Sequence, residues 1–204
     1  MKQQNIDYYN QNADDFFEST LSVDMQPLYD EFLPLVTPKG NILDAGCGSG
    51  RDSKAFSELG FNITSMDASE SLASLATQYL GFPVICQTFQ NINFQNQFDG
   101  IWCCASLLHV PLIELPDVMI KLNRALRLNG VIYMSFKLAY TKQSERSHNG
   151  RIFTDLDENS LHKFIEAIPE LAIKKIWITA DQRPSRIDEK WLNAIIVKVD
   201  SHNE

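Results

Sequence analysis

Three glycines at alternate positions, Gly46, Gly48 and Gly50, separate a short apolar run from an amphipathic segment that begins at Arg51. The run, Asn41-Ile-Leu-Asp-Ala45, carries an acid near its end, Asp44. About 20 residues further on, the spacing at which an acid follows such a turn, a second apolar run, Phe61-Asn-Ile-Thr-Ser-Met66, closes on Asp67. A glycine turn between strand and helix lets a ligand approach the backbone, because no Cβ intervenes. It also aims the unpaired N–H groups of the helix start at that ligand. A carboxylate at the tip of the second strand accepts two hydrogen bonds, as a ribose with two free hydroxyls requires. These residues describe a site for an adenosine-type cofactor. The nicotinamide fingerprint G-x-G-x-x-G needs a glycine where this chain has Arg51.

The elements that must carry these residues alternate strand and helix. Strands are expected over 41–45, 61–67, 83–86, 98–103 and 131–136, the last entered through a tight turn at Leu128-Asn-Gly130. Helices are expected over 51–59, 70–79 and 112–126, and over 157–167 with Thr154 or Asp155 as its cap. Two helices precede the first strand, over 8–17 and 25–36; the first presents Tyr9, Ala13, Phe16 and Phe17 as an apolar stripe. Residues 137–151 read as a polar stretch without periodicity. Two strands, 171–179 and 191–199, end the pattern with only a loop between them, so they must be antiparallel to each other. The expected fold is α/β: a three-layer sandwich on a mostly parallel seven-stranded sheet with an antiparallel last strand, plus an N-terminal helical cap. One domain is expected over 1–204, with 1–38 as cap or lid and 39–199 as a Rossmann-like core.

Ligands of an open α/β sheet lie beyond the carboxyl ends of its strands. Strand one brings Asp44, Ala45, Gly46 and Gly48 there, and strand two Asp67, Ala68 and Ser69, where Ser69 also suits the cap of the next helix. Strand three brings Thr88 and Phe89 as neighbours of an adenine, and strand four Cys104, Ala105, Ser106, Leu107 and His109. Tyr8, Tyr9 and Phe16 of the first helix are placed to fold over the same edge. His148, Arg151, Arg183 and Arg186 stand out as cations of an acidic chain, and arginine forks suit carboxylates and similar anions. The same cations are compatible with pairing to Asp181, Asp188 and Glu189. His109 is the candidate general base, since an imidazole titrates near neutrality; a structural role before Pro111 is the alternative.

At four places in order the chain resembles class I S-adenosylmethionine-dependent methyltransferases. Ile42-Leu-Asp-Ala-Gly-Cys-Gly-Ser-Gly50 is similar to their first motif and Met66-Asp-Ala-Ser69 to their second. Phe98-Asp-Gly-Ile-Trp-Cys-Cys-Ala-Ser-Leu-Leu-His109 is similar to the fourth-strand motif. Leu122-Asn-Arg-Ala-Leu-Arg-Leu-Asn-Gly-Val-Ile-Tyr133 resembles the helix, turn and strand that follow. The resemblance covers about residues 8–198 and implies S-adenosyl-L-methionine as cofactor, held by Tyr9, Asp44, Ala45, Gly46, Gly48, Arg51, Asp67, Ala68, Ser69, Thr88, Phe89, Cys104 and Ala105. Asp44 would hold the cofactor's ammonium or set the local field for its cation. Arg51 would pair with its carboxylate, or be a solvated arginine. Gly48-Ser-Gly-Arg-Asp-Ser53 is also similar to bacterial methyltransferases of the tellurite-resistance type.

An Asn/Asp-Pro-Pro-Tyr/Phe segment, seen in many enzymes that methylate amide or base nitrogens, is missing after strand four. Cys104-Ala-Ser-Leu stands in its place, which favours a small-molecule acceptor. The net charge of −8 and pI near 5 give no general attraction to nucleic acid or anionic membranes. An RNA or protein methyltransferase of the same fold and a non-catalytic cofactor-binding module are the alternative readings. The four cysteines form no C-x-x-C, so no metal site is expected, and all four are expected as buried reduced thiols. No segment has the apolar core of a signal peptide or a membrane span, so a cytoplasmic location is expected.

Overall fold

The computed structural model describes residues 2–139, 145–181, 183, 186 and 188–200. Helices α1 (Gln3–Gln11), α2 (Ala13–Leu21) and α3 (Gln26–Phe32) precede β1 (Asn41–Ala45). Then follow α4 (Arg51–Glu58), β2 (Asn62–Asp67), α5 (Glu70–Leu80), β3 (Val84–Cys86), β4 (Phe98–Cys103), α6 (Leu115–Ala125) and β5 (Leu126–Lys137). A hairpin of β6 (Glu145–His148) and β7 (Arg151–Thr154), helix α7 (Glu158–Glu166), β8 (Leu171–Ala180) and β9 (Lys190–Lys198) complete the order. The main sheet runs β3-β2-β1-β4-β5-β9-β8. Its pairs are parallel except that β9 runs antiparallel to both β5 and β8. The expected α/β sandwich is thus the observed one.

Successive side chains of a strand point to opposite faces of the sheet, and the apolar residues of the central strands feed two cores accordingly. Leu43, Ile101, Ile132 and Met134 pack with Leu115, Met119 and Leu122 of α6 and Leu161 and Ile165 of α7. Their neighbours Ile42, Trp102 and Tyr133 pack with Leu28, Tyr29 and Phe32 of α3 and Phe56 of α4. Trp102 and Tyr133 stack at 4.0 Å across β4 and β5. Burying side chains of this size contributes roughly 1.5–3 kcal/mol each, so the strands that end at the glycine turn are anchored from both sides.

Several boundaries differ from expectation for local reasons. The first helix is two helices, broken at Asn12, whose backbone and side-chain N–H groups both donate to Tyr8 O. The expected helix over 112–126 begins as a 3-10 turn and becomes α-helical only at Leu115, with Pro116 in its first turn. The expected turn before the fifth strand is a bulge: the β4–β5 register passes from Phe98↔Leu126 to Gly100↔Val131, with Asn129 at φ 64°. Helix α7 is capped by neither Thr154 nor Asp155 but by Asp157, which accepts from Ser160 N at 2.8 Å. The polar stretch holds the β6–β7 hairpin, turned by Asn149 and Gly150 at φ 49° and 75°; residues 140–144 of it lie outside the described residues. Of the cysteines, Cys47 and Cys103 are buried, Cys104 is half-buried and Cys86 is exposed; all are free. Cys86 sits on β3, the outer strand of the sheet, so its thiol is left uncovered. Among the described residues no helix is long and apolar enough to cross a membrane.

Candidate active site

The glycine turn leaves β1 with Gly46 at φ 83° and Gly48 at φ 54°, the left-handed region that side chains rarely adopt. A Cβ on Gly46 would lie 2.5 Å from Ser106 Cβ, and one on Gly48 would lie 3.0 Å from Phe16. Asp67 holds the turn in place: Oδ2 accepts from Gly48 N at 2.9 Å and Oδ1 from Ser69 N at 2.8 Å. Each oxygen keeps acceptor capacity for a ligand hydroxyl. Burial pushes the Asp67 carboxyl above its ordinary range, against those amide hydrogen bonds. Ser69 does cap α5, accepting from Leu72 N, and its own hydroxyl donates to Asn10 of α1.

Asp44 is enclosed beneath the turn, where its Oδ2 accepts from Ser53 Oγ at 2.6 Å. Burial first, and the nearby Asp52 carboxylate second, raise its pKa. A group so placed responds to a cation above it through the local field. Arg51 is not a freely solvated arginine. Its Nε and Nη2 fork onto Asp52 at 2.6 and 2.9 Å, and Nη1 donates to Thr20 O at 3.3 Å. Asp52 also accepts from Tyr29 Oη at 2.5 Å and Trp102 Nε1 at 2.8 Å. Asp52 lies in the buried face of α4 and keeps a lowered pKa: burial opposes ionisation, but Arg51 and these donors overcome it. No sequence signal beyond the position of Asp52 after Arg51 pointed to this network.

From the turn opens a cavity of about 610 Å³, with Gly46, Cys47, Gly48 and Arg51 on one wall. Cys104 and Ala105, at the end of β4, line it too, with Ala105 at φ 50° and its N–H donating to Ser135 Oγ. His109, His148, Arg151, Arg183 and Arg186 all line this one cavity, as do Tyr9 and Phe16. Asp44, Ala45, Asp67, Ala68, Ser69, Thr88 and Phe89 are not among its lining residues; Ala45 and Phe89 are buried in the main core. Trp191 lines the cavity, while Trp177 packs against Tyr133.

His109 is 6% exposed and clamped on both sides. Its Nε2 lies 2.8 Å from Tyr9 Oη, and its Nδ1 lies 3.3 Å from Ile152 O and 3.2 Å from Asn5 Nδ2. Arg151 Nη1 donates to Tyr9 Oη at 3.3 Å. Burial, and then the Arg151 charge, lower the His109 pKa to about 4, against the pull of the Ile152 carbonyl, so its imidazole is neutral near pH 7. The buried Asn5 ties the arrangement together: Oδ1 accepts from Ile152 N at 2.8 Å and Nδ2 donates to Ile152 O at 2.9 Å. Helix α1, the hairpin strand β7 and the segment after β4 therefore meet at one histidine. Asn5 went unnoticed in the sequence because a lone polar residue near a terminus carries no pattern. The hairpin did have a signal, Asn149-Gly150, the pair favoured in two-residue turns.

The fold and the glycine turn together define a class: this is the fold of class I S-adenosylmethionine-dependent methyltransferases. Within it, the family described as Methyltransferase domain matches residues 43–134, just under half of the chain. YqeM of Bacillus subtilis, provisionally named a methyltransferase, is 33% identical over 112 residues, covering 50% of this chain and 45% of its own. A ubiquinone biosynthesis O-methyltransferase of Coxiella burnetii is 39% identical over 83 residues, 37% of this chain and 36% of its own. The chain thus spans less than half the length of these curated relatives. The crystal structure of a Burkholderia thailandensis 1,6-didemethyltoxoflavin-N1-methyltransferase, with 1,6-didemethyltoxoflavin and S-adenosylhomocysteine bound, superposes with a TM-score of 0.74 at 20% identity. That match covers 97% of this chain and 88% of the other.

Proposed function

We propose that this protein transfers a methyl group from S-adenosyl-L-methionine to a small-molecule acceptor, and that the acceptor carries an anionic group. The observation that carries this reading is one cavity lined both by the glycine turn and by the Tyr9–His109–Arg151 cluster. The residues present suit the cofactor. The Cβ-free turn at Gly46 and Gly48 would accept its methionine portion, and Asp67, fixed by two amides, would hold the ribose hydroxyls. Ala68 and Ser69, which follow Asp67 directly, would flank the adenosine, and Arg51, its fork already oriented by Asp52, would face the methionine end. Once bound, the cofactor supplies a methyl carbon already activated by a sulfonium.

The chain's own part is to align the acceptor, exclude water and receive a proton where the acceptor brings one. With the acceptor-only Ile152 carbonyl facing Nδ1, the His109 proton sits on Nδ1, so Nε2 accepts from the Tyr9 hydroxyl, whose oxygen also accepts from Arg151 Nη1. An acceptor hydroxyl or N–H in the cavity then gives its proton to Tyr9 as Tyr9 passes its own to His109. The new bond to the methyl carbon forms as the carbon–sulfur bond breaks. Helices α1 and α2, bonded to the rim through Asn10–Ser69 and Thr20–Ser49, form the lid of this site. The Burkholderia neighbour, with 1,6-didemethyltoxoflavin bound, supports a small acceptor.

Incubation with S-adenosylmethionine and a panel of small acids, phenols and heterocyclic N–H compounds tests the proposal by release of S-adenosylhomocysteine. Turnover of a hydroxyl or N–H acceptor is expected, with Tyr9→Phe lowering kcat about 100-fold or more, as the ~10²–10⁴-fold typical of acid–base catalysis implies. Turnover that Tyr9→Phe and His109→Gln leave untouched would remove the proton relay.

A further inference from the structure

The cations of the cavity are not equivalent. Arg146 pairs with Asp155, and Arg183 forks onto Asp181 at 2.8 and 2.5 Å. Lys137 meets Asp181 at 3.8 Å and Glu189, while Arg186 reaches Glu189 at 3.7 Å. Each of these carries its own counter-charge, so a ligand anion there would compete with a fixed carboxylate. His148 and Lys190 are exposed. Arg151 differs on every count. It is half-buried, and among the described residues no carboxylate lies within ion-pair distance of it. Its guanidinium lies over the rings of Tyr8 at 4.5 Å and Phe153 at 5.0 Å, and among the described residues its Nε is buried without a partner while Nη1 donates to the neutral Tyr9 hydroxyl. A guanidinium held on aromatic faces and denied a carboxylate keeps its fork for an oxyanion. The cavity lining also has an apolar part, with Val23, Met25, Leu28 and Leu108.

Resting on the methyltransferase reading, we propose that Arg151 is the residue that selects the acceptor. It takes an oxyanion group of an apolar-bodied acid and sets that acid beside Tyr9, while the Arg146, Arg183, Arg186 and Lys137 pairs are structural walls. The acceptor class is then an aromatic or branched acid rather than a neutral compound or a polyanion. Specificity follows from what the site leaves unpaired: a neutral analogue would bury the Arg151 fork without a partner.

The test is calorimetric titration of the S-adenosylhomocysteine-saturated protein with benzoate, phenylphosphonate and benzamide as probes. A hydrogen-bonded charge supports a preference of about 10- to 100-fold for the acids over benzamide. Arg151→Gln is expected to erase that preference, and Arg151→Lys to keep part of it, since lysine retains the charge and loses the fork. The double change Arg186→Gln with Glu189→Gln removes the exposed wall pair at constant net charge, leaves Lys137 its contact with Asp181, and is expected to shift acid binding less than about threefold, as surface pairs do. Equal or absent binding of acids and benzamide by wild type, a preference that survives Arg151→Gln, or one that the double change also erases would overturn the inference. S-adenosylhomocysteine affinity measured in each variant reports an intact site. Failure of the wild type to bind it at all strikes the methyltransferase reading instead.

Discussion

Protonating His109 should destabilise the protein by an amount set by its burial. The imidazole has an ordinary pKa of 6.5 and a folded value of about 4, lowered first by burial and then by Arg151. Between those values the unfolded chain binds a proton that the folded chain refuses. The stability that goes with the neutral ring is therefore present above about pH 6.5 and is lost as pH falls toward 4. Linkage over this gap removes about 2 kcal/mol between about pH 7 and about pH 4.5, with about half of it gone by about pH 5.5. The assay is urea unfolding of wild type and His109→Gln across that range. Other groups, Asp44 and Asp67 among them, titrate in both proteins and cancel in the difference. The variant is expected to be less stable near neutrality, having lost the bond to Tyr9, but to approach wild type as the solution is acidified. Two pH profiles that run parallel would show that His109 is not held neutral by burial, and the proton relay built on it would fall.

Two further substitutions probe the frame of the site. Gly46→Ala forces a side chain into φ 83° and to 2.5 Å from Ser106 Cβ, so a loss of about 2 kcal/mol or more is expected in thermal or urea unfolding; a variant as stable as wild type would refute the close approach. Arg51→Met strands the buried Asp52 carboxylate with only Tyr29 and Trp102 as donors. A loss of about 3–5 kcal/mol is expected, with part recovered on adding Asp52→Asn; an unchanged unfolding midpoint would mean the pair is not buried as described.

Much of this molecule is legible from its residues because periodic burial writes itself into the chain. Strands such as 98–103, buried at every position, and helices with one apolar face are read directly, and so is a glycine turn whose conformation other residues disfavour. The antiparallel pairing of the last two strands followed from the length of their connection alone. What escaped detection depends on contacts between distant segments. Asn5 acquires its role only when α1 meets β7, 147 residues away. The Tyr29–Asp52–Trp102 cluster needs three elements folded together. The β6–β7 hairpin alternates weakly because only Phe153 and Thr154 of its eight residues are buried, so its turn pair was its sole signal. The candidate cations illustrate the same limit: their charge on an acidic chain singled out Arg151, Arg183 and Arg186 alike, whereas only the fold distinguishes the paired from the unpaired.

The central claim is that the turn and Asp67 hold S-adenosylmethionine, and titration calorimetry of wild type and Asp67→Ala tests it most directly. Asp67 is fixed by Gly48 N and Ser69 N with acceptor capacity to spare. Wild type is therefore expected to bind S-adenosylmethionine and not NADH, and Asp67→Ala to bind it at least about tenfold more weakly, the loss of one or two hydrogen bonds to a charged group. A folded wild-type protein that does not bind S-adenosylmethionine, or an Asp67→Ala variant that binds it as well as wild type, would contradict the account.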